Sequence, residues 1–232
     1  MAENERPSNS EIDRLGVRLR NRTASAKDFR LLDTYRSSFE SAYENIRTIL
    51  KVNYGYSPVG RLKTAEKIVQ KLKRQSARLS QIQDIAGCRI VLADAVAQQR
   101  FLEEHFFESM VFGAVVKADD RRYVPSHGYR AYHAIVMDDP SGFGRVVEVQ
   151  VRTRAQHLWA EHCEQLAISK DSELKYGGGP PAFLEHLRKA SGLVAEIAAL
   201  EELGRSTDAR RLIGRLQSML GEVLVPESRL SE

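Results

Sequence analysis

The sequence predicts an α/β (α+β) fold, a small mixed β-sheet flanked by helices, with helical N- and C-terminal extensions. Three observations carry this expectation. Apolar runs of strand length are interspersed with longer stretches whose apolar residues recur every three or four positions. Clusters rich in Gly, Pro, Asn, Asp and Ser separate the two kinds of segment at 53–58, 138–142 and 177–181. Hydrophobic residues make up 42% of the 232 and charged residues 28%, enough apolar surface for a core and too much for a disordered chain.

Residues 1–24 read as a polar N-terminal segment. From Ser25 one long helix follows, because Phe29, Leu32, Tyr35, Phe39, Ala42, Ile46 and Ile49 recur at helical steps. Ser25 is its N-cap, with Asp28 three residues on. A second helix covers about 64–78 and turns Ala65, Ile68, Val69 and Leu72 inward. The run 88–92 is apolar, bounded by Gly87 and Asp94, and reads as a strand. A helix at 95–108 and a strand near 111–117 come next, then a polar loop with Asp119, Asp120, Arg121 and Arg122. Strands at 130–137 and 145–152 and a helix at 154–169 complete an α/β body over 25–176. The Gly-Gly-Gly-Pro-Pro run at 177–181 sets off a C-terminal extension, 177–232, with helices at about 183–203 and 207–222.

Several classes of protein are excluded. No apolar run approaches the roughly 20 residues that span a bilayer. The N-terminus carries acidic residues and lacks the apolar stretch of a secretory signal, so a cytoplasmic location is expected. Cys88 and Cys163 stand far apart and read as reduced thiols rather than a disulfide framework. The net charge of +4 and pI of about 9.1 are mildly basic, so the placement of the charges matters more than their sum.

Four constellations could carry chemistry. Lys63, Lys67, Lys71 and Arg74 are spaced by four, four and three and line one helical face, with Arg61 and Lys63 at its start. Such a row suits a polyphosphate, although a solvated helix face has the same composition. Asp84 stands just before the strand at 88–92, as an uncompensated carboxylate that a hard cation would account for; Gly87 offers close backbone approach and Arg89 a fixed cation. In 145–152, Val147, Val149 and Val151 face one way while Glu148, Gln150 and Arg152 face the other. That pattern fits a site wall or a solvent-facing edge strand. Tyr129 and His133 share a strand face, beside Gly128, as a stacking platform or as half-buried aromatics. The helix at 154–169 adds His157, Glu161, His162 and Cys163, whose order does not match a zinc motif; substrate contacts or surface residues remain. No Walker A, dinucleotide-binding or nucleophile-elbow motif occurs.

Taken in this order, Asp-Ile-Ala-Gly-Cys-Arg at 84–89, Gly-Tyr-Arg-Ala-Tyr-His at 128–133 and Glu-Val-Gln-Val-Arg-Thr at 148–153 resemble the synthetase domain of the RelA/SpoT family. The resemblance runs over about 61–176 and is to the small alarmone synthetases, since the length leaves no room for hydrolase and regulatory domains. It implies a nucleotidyltransferase-like fold with a mixed five-stranded sheet, and transfer of the β,γ-pyrophosphate of ATP to the ribose 3′-OH of GDP or GTP, with Mg²⁺. It implies that Arg61 and Arg89 flank adenine, that Lys63, Lys71 and Arg74 hold the ATP phosphates, and that Asp84 binds Mg²⁺. Glu148 would assist the metal and activate the 3′-OH, Tyr129 would stack on guanine, and His133, Gln150, Arg152 and His157 would contact the acceptor. The resemblance further implies a homo-oligomer. Some relatives resemble toxins acting on the 3′ end of tRNA, which would bring an antitoxin partner, and the arginines of 14–30 suit a nucleic-acid backbone. A non-catalytic nucleotide- or RNA-binding module is the remaining class. Asp84 and Glu148 together argue against it, because binding alone needs neither a metal carboxylate nor a base.

Overall fold

A computed structural model of the chain describes residues 7–107, 114–138, 144–169, 178 and 180–222. Five strands form one mixed sheet in the order β1-β2-β5-β4-β3: β1 (Val59–Leu62), β2 (Ala86–Leu92), β3 (Ala114–Asp120), β4 (Tyr132–Met137) and β5 (Val146–Thr153). Four of them correspond to predicted strands, although β3 runs on through Asp119 and Asp120, which the sequence placed in the following loop. The fifth, β1, is too short for a periodic signal and mostly exposed, and it pairs antiparallel with β2. β5 lies at the centre of the sheet, which overturns the edge-strand alternative for 145–152. Its Val147, Val149 and Val151 are fully buried, as the alternation predicts. Part of the strand expected near 111–117, the turn expected at 138–142 beyond Asp138, and the sequence 170–176 lie outside the described residues.

The chain divides into two compact units. The first comprises Met1–Arg89, Met110–Lys117 and Ala134–Val149. Its helices are α1 (Asn9–Arg20), α2 (Ala26–Ser37), α3 (Glu40–Val52) and α4 (Ala65–Arg74). The predicted polar segment contains α1, capped by the Ser8 hydroxyl accepting from the Glu11 amide, with Ile12, Leu15 and Leu19 buried. Two arginines read as available to nucleic acid are engaged within this unit. Arg18 donates to Asp28 at 2.6 and 3.0 Å, and Arg20 donates to the carbonyls of Leu72 (3.0 Å) and Ala77 (2.5 Å).

The long helix expected from Ser25 is two helices, α2 and α3. The capping box of Ser25 and Asp28 starts the first as the sequence indicates. The Ser38 hydroxyl then donates to the Tyr35 carbonyl at 2.6 Å, a local bond that competes with the helical ladder. Ser38 and Phe39 keep helical dihedrals, so the apolar period passes through the break. α4 stops at Arg74, four residues short of the expected end, where Gln75 turns extended.

The second unit comprises Ile90–Ser109, Ala118–His133 and Gln150–Glu232. It holds α5 (Ala95–Leu102), α6 (Arg154–Ser169), α7 (Pro181–Glu202) and α8 (Ser206–Glu222). α5 runs on as a π-helical turn, Glu103–Phe107. Trp159, Cys163, Leu166, Leu187, Val194, Ile197 and Leu216 build a core between α6, α7 and α8. Gln98 and Gln156 form a buried reciprocal amide pair at 2.9 and 3.3 Å. No helix among the described residues is long and apolar enough to cross a membrane.

His162 is 4% exposed within this core, its ring 5.5 Å from that of His186. Burial first, and then the neighbouring His186, push its pKa from 6.5 down to about 4. The unfolded chain takes up the proton below pH 6.5, while the folded chain resists it until about pH 4. Stability therefore falls as the pH drops through this window. We expect a loss of about 2 kcal/mol from this group between pH 7 and 5. Urea unfolding at both pH values should show a smaller difference in His162→Gln than in the wild type; equal differences would assign the acid sensitivity elsewhere.

Candidate functional site

The first unit places Lys63 between two backbone restraints. Its amide donates to the Ile85 carbonyl at 2.7 Å, and its own carbonyl accepts from Arg36 Nε at 2.7 Å. Thr64 then caps α4, its hydroxyl accepting from the Lys67 amide. From this pinned position Lys63 Nζ reaches Asp84 Oδ2 at 2.5 Å, while Lys71 Nζ stands 2.9 Å from Oδ1. The three side chains are only 20–23% exposed. Burial pushes the Asp84 carboxyl up, but the attraction and hydrogen bonds of the two ammoniums outweigh it and hold its pKa below the usual value. The expectation of an uncompensated carboxylate is therefore wrong: Asp84 carries two counter-ions. Of the basic row, Lys63 and Lys71 converge on Asp84, whereas Lys67 and Arg74 lie on the exposed side of α4.

The register of β1 on β2 sets the neighbouring cations. Arg61 pairs with Gly87 and Val59 with Arg89, so Arg61 and Arg89 stand on one sheet face as diagonal neighbours. Gly60 makes the pairing possible. A Cβ there would lie 2.2 Å from the Gly87 carbonyl oxygen and 2.5 Å from Cys88 Cα. The close approach thus belongs to Gly60, because a Cβ on Gly87 would meet Glu148 Oε2 only at 3.7 Å, an ordinary contact. Glu148 also acts on Cys88, whose thiol is pushed to about 12 by burial and then by that carboxylate. Asp84 and Glu148 are the carboxylates of this unit that the sequence singles out as possible holders of a divalent cation. No group of three or more His, Cys, Asp and Glu side chains able to hold a metal forms among the described residues. Two carboxylates suit Mg²⁺ where phosphate oxygens and water complete the octahedron.

In the second unit Ser126, His127, Gly128 and Tyr129 form a tight turn. His127 (φ 50°) and Gly128 (φ 84°) are both left-handed, and Ser126 and Tyr129 exchange backbone bonds of 3.2 and 2.9 Å. Tyr129 therefore sits ahead of β4 rather than on it. Its side chain nevertheless meets His133, as the spacing implied: the hydroxyl is 2.7 Å from His133 Nε2. That hydroxyl also accepts from Arg152 Nη2 at 2.9 Å. Arg152 Nη2 donates further to Gln150 Oε1 at 2.8 Å, and its guanidinium lies 5.3 Å from the Tyr129 ring centre. Arg152 is 3% exposed, and its Nε and Nη1 have no hydrogen-bond partner among the described residues. His157 faces Glu161 across one helical turn, Nδ1 to Oε1 at 3.8 Å.

Two positioning residues escaped the sequence. Arg36 acts through a backbone carbonyl, which no residue pattern encodes. Trp159 packs its ring 6.1 Å from that of Tyr129 and donates Nε1 to the Leu187 carbonyl at 3.0 Å.

A model of the region found in RelA/SpoT proteins matches residues 60–172, which begin in β1 and run through α6. GTP pyrophosphokinase YjbM of Bacillus subtilis is 33% identical over 180 residues, covering 70% of this chain and 81% of that protein. The chain belongs to the RelA/SpoT family. Among solved structures, small alarmone synthetase 1 of B. subtilis matches with a TM-score of 0.58 at 28% identity, over 80% of this chain and 100% of that one. The same synthetase bound to its product pppGpp matches with a TM-score of 0.55 at 28% identity, over 79% and 98%. A RelA/SpoT-type mixed sheet with flanking helices is thus established for this chain.

The Lys63–Asp84–Lys71 arrangement predicts a stability effect independent of any ligand. Asp84→Asn should destabilise the protein by about 1–3 kcal/mol at pH 7, because two partly buried ammoniums lose their counter-ion. Because the folded pKa is depressed below 3.8, the contribution of Asp84 is present above pH 3.8 and is lost as the pH falls from there through the lower folded value. Urea unfolding of the variant checks this; an unchanged midpoint would show that the ion pairs add nothing.

Proposed function

We propose that this chain is a GTP pyrophosphokinase, an alarmone synthetase that transfers the β,γ-pyrophosphate of ATP to the ribose 3′-OH of GDP or GTP. The single observation that carries the reading is the match to a named GTP pyrophosphokinase over 81% of that protein's length and 70% of this chain. In the reaction the 3′-oxygen forms a bond to the β-phosphorus, the bond from that phosphorus to the bridging α,β-oxygen breaks, and AMP leaves.

Arg61 and Arg89, diagonal on one face, flank the adenine. Lys63, Lys71 and Arg74 bind the phosphates. In the ligand-free protein the first two hold Asp84; a polyphosphate carries more negative charge and competes for both ammoniums, which releases the carboxylate. Asp84 and Glu148 are the residues that would hold Mg²⁺, which when bound neutralises charge on the transferring phosphates. Glu148 accepts the proton of the 3′-OH. Tyr129 stacks on the guanine. Its ring is fixed by Arg152 and His133, so His133 acts by holding Tyr129 as well as by standing near the acceptor. Gln150, the open donors of Arg152 and His157 face acceptor oxygens. Positioning and charge neutralisation supply most of the catalysis that pyrophosphoryl transfer needs. Within this proposal residues 25–176 carry the synthetase, 177–232 form a helical extension, and the protein acts in the cytoplasm as a homo-oligomer. A tRNA acceptor has lost its main support, since Arg18 and Arg20 are bound to Asp28 and to backbone carbonyls.

Incubation with labelled ATP, Mg²⁺ and GDP, GTP or deacylated tRNA, followed by chromatography, tests the proposal: product is expected with the guanosine nucleotides. Product with tRNA alone would replace the acceptor. Glu148→Gln should lower turnover on the order of 10²–10⁴-fold and leave ATP binding by calorimetry intact. Loss of ATP binding in that variant would remove Glu148 as the base and leave it a structural residue or a primary metal ligand.

A further inference from the structure

The turn that carries Tyr129 also forms one wall of a cleft that the proposed reaction leaves unused. The cleft has a volume of about 480 Å³ and is closed on its other side by α7. That volume lies in the range of small-molecule sites. Leu184 and Leu187 give it an apolar side, Gly192 opens space between helix and turn, and His127, Arg130 and Arg188 surround it with basic groups. Arg188 is matched by Glu185, with two bonds of 2.8 Å. Arg130 is not. Its donated bonds end on neutral oxygens, the carbonyls of Arg122 (2.6 Å) and Tyr123 (3.2 Å) and the Ser191 hydroxyl (3.3 Å). No carboxylate pairs with it among the described residues, and burial alone acts on its pKa, lowering it. A partly buried guanidinium without a counter-charge, beside two leucines, calls for a ligand with an anionic group on an apolar body.

We propose that this cleft is an effector site for a small organic anion, a phosphate or carboxylate borne on an apolar ring or chain, and that its occupant acts on Tyr129. The second half rests on the role given to Tyr129 above. Gly128 links the two places. A Cβ on it would lie 3.0 Å from Trp159 Cζ2 and 3.3 Å from Ser191 Cβ, so the turn, Trp159 and α7 are in close contact there. Leu187 lines the cleft and its carbonyl anchors the Trp159 indole, which packs on the Tyr129 ring. An occupant that presses on Gly128 or Leu187 presses on the groups that orient Tyr129.

Trp159 is the single tryptophan of the chain and therefore reports on the cleft directly. Titration of the full chain with phenyl phosphate, without ATP, should change tryptophan fluorescence with saturation, and inorganic phosphate or phenol alone should act at least tenfold more weakly. Gly192→Leu fills the cleft: no atom lies within 4 Å of a Cβ at that position, and leucine is the better helix former. It should remove the saturable change while the unfolding temperature stays the same or rises. Arg130→Gln should weaken binding at least tenfold. An identical titration in Gly192→Leu and wild type, or no saturation in the wild type, overturns the site. Competitive displacement by GDP also overturns it, because the cleft would then belong to the acceptor. Phenyl phosphate should change KM for GDP in the wild type and not in Gly192→Leu; an unchanged KM overturns the coupling. If the chain makes no alarmone at all, the proposed function fails, while the fluorescence titration still decides the cleft.

Discussion

β5 occupies the centre of the sheet, and this one placement governs what its polar side chains are able to be. One face of the strand is Val147, Val149 and Val151, all without exposure. The other face carries a half-buried carboxylate and amide and a guanidinium that is almost fully buried. A polar group so placed costs free energy unless something bonds to it. Gln150 and Arg152 meet part of that demand through each other and through Tyr129. The remaining donors of Arg152 stay open in a side chain that is 3% exposed. Open donors held by a rigid central strand are preorganised, so a ligand bearing acceptors meets them without having to order them first.

The donor residues follow a different logic. Asp84, Lys63 and Lys71 satisfy one another, so the charges proposed for phosphate binding also stabilise the fold. Two restraints on the backbone of Lys63 and the N-cap of α4 keep the ammoniums convergent. The convergence is therefore built by the chain's own backbone contacts.

Sequence patterns reported some of this and were blind to the rest. The helix at 154–169 has the bounds the sequence indicates, and the valine alternation of β5 reads directly as burial. Both signals are periodic over enough residues to stand out. α1 was hidden because its apolar positions, Ile12, Leu15 and Leu19, are few and arginines lie between them. β1 has four residues and a glycine, and its existence depends on what β2 allows. The break between α2 and α3 left no trace, since the connecting residues keep helical dihedrals. In the site, the meeting of Tyr129 and His133 was legible from spacing, although a left-handed turn and not a strand brings it about. The two lysines on Asp84 were not, because the contact joins segments separated in sequence by a turn whose path depends on tertiary packing.

Cys88 lies on β2 next to Gly87, facing the core while its neighbours face the site. With its thiol pushed to about 12, the thiolate fraction at pH 7 is on the order of 10⁻⁵. The thiolate is the form that peroxides and alkylating agents attack. Peroxides and alkylating agents therefore find little thiolate to attack on the strand that presents Arg89.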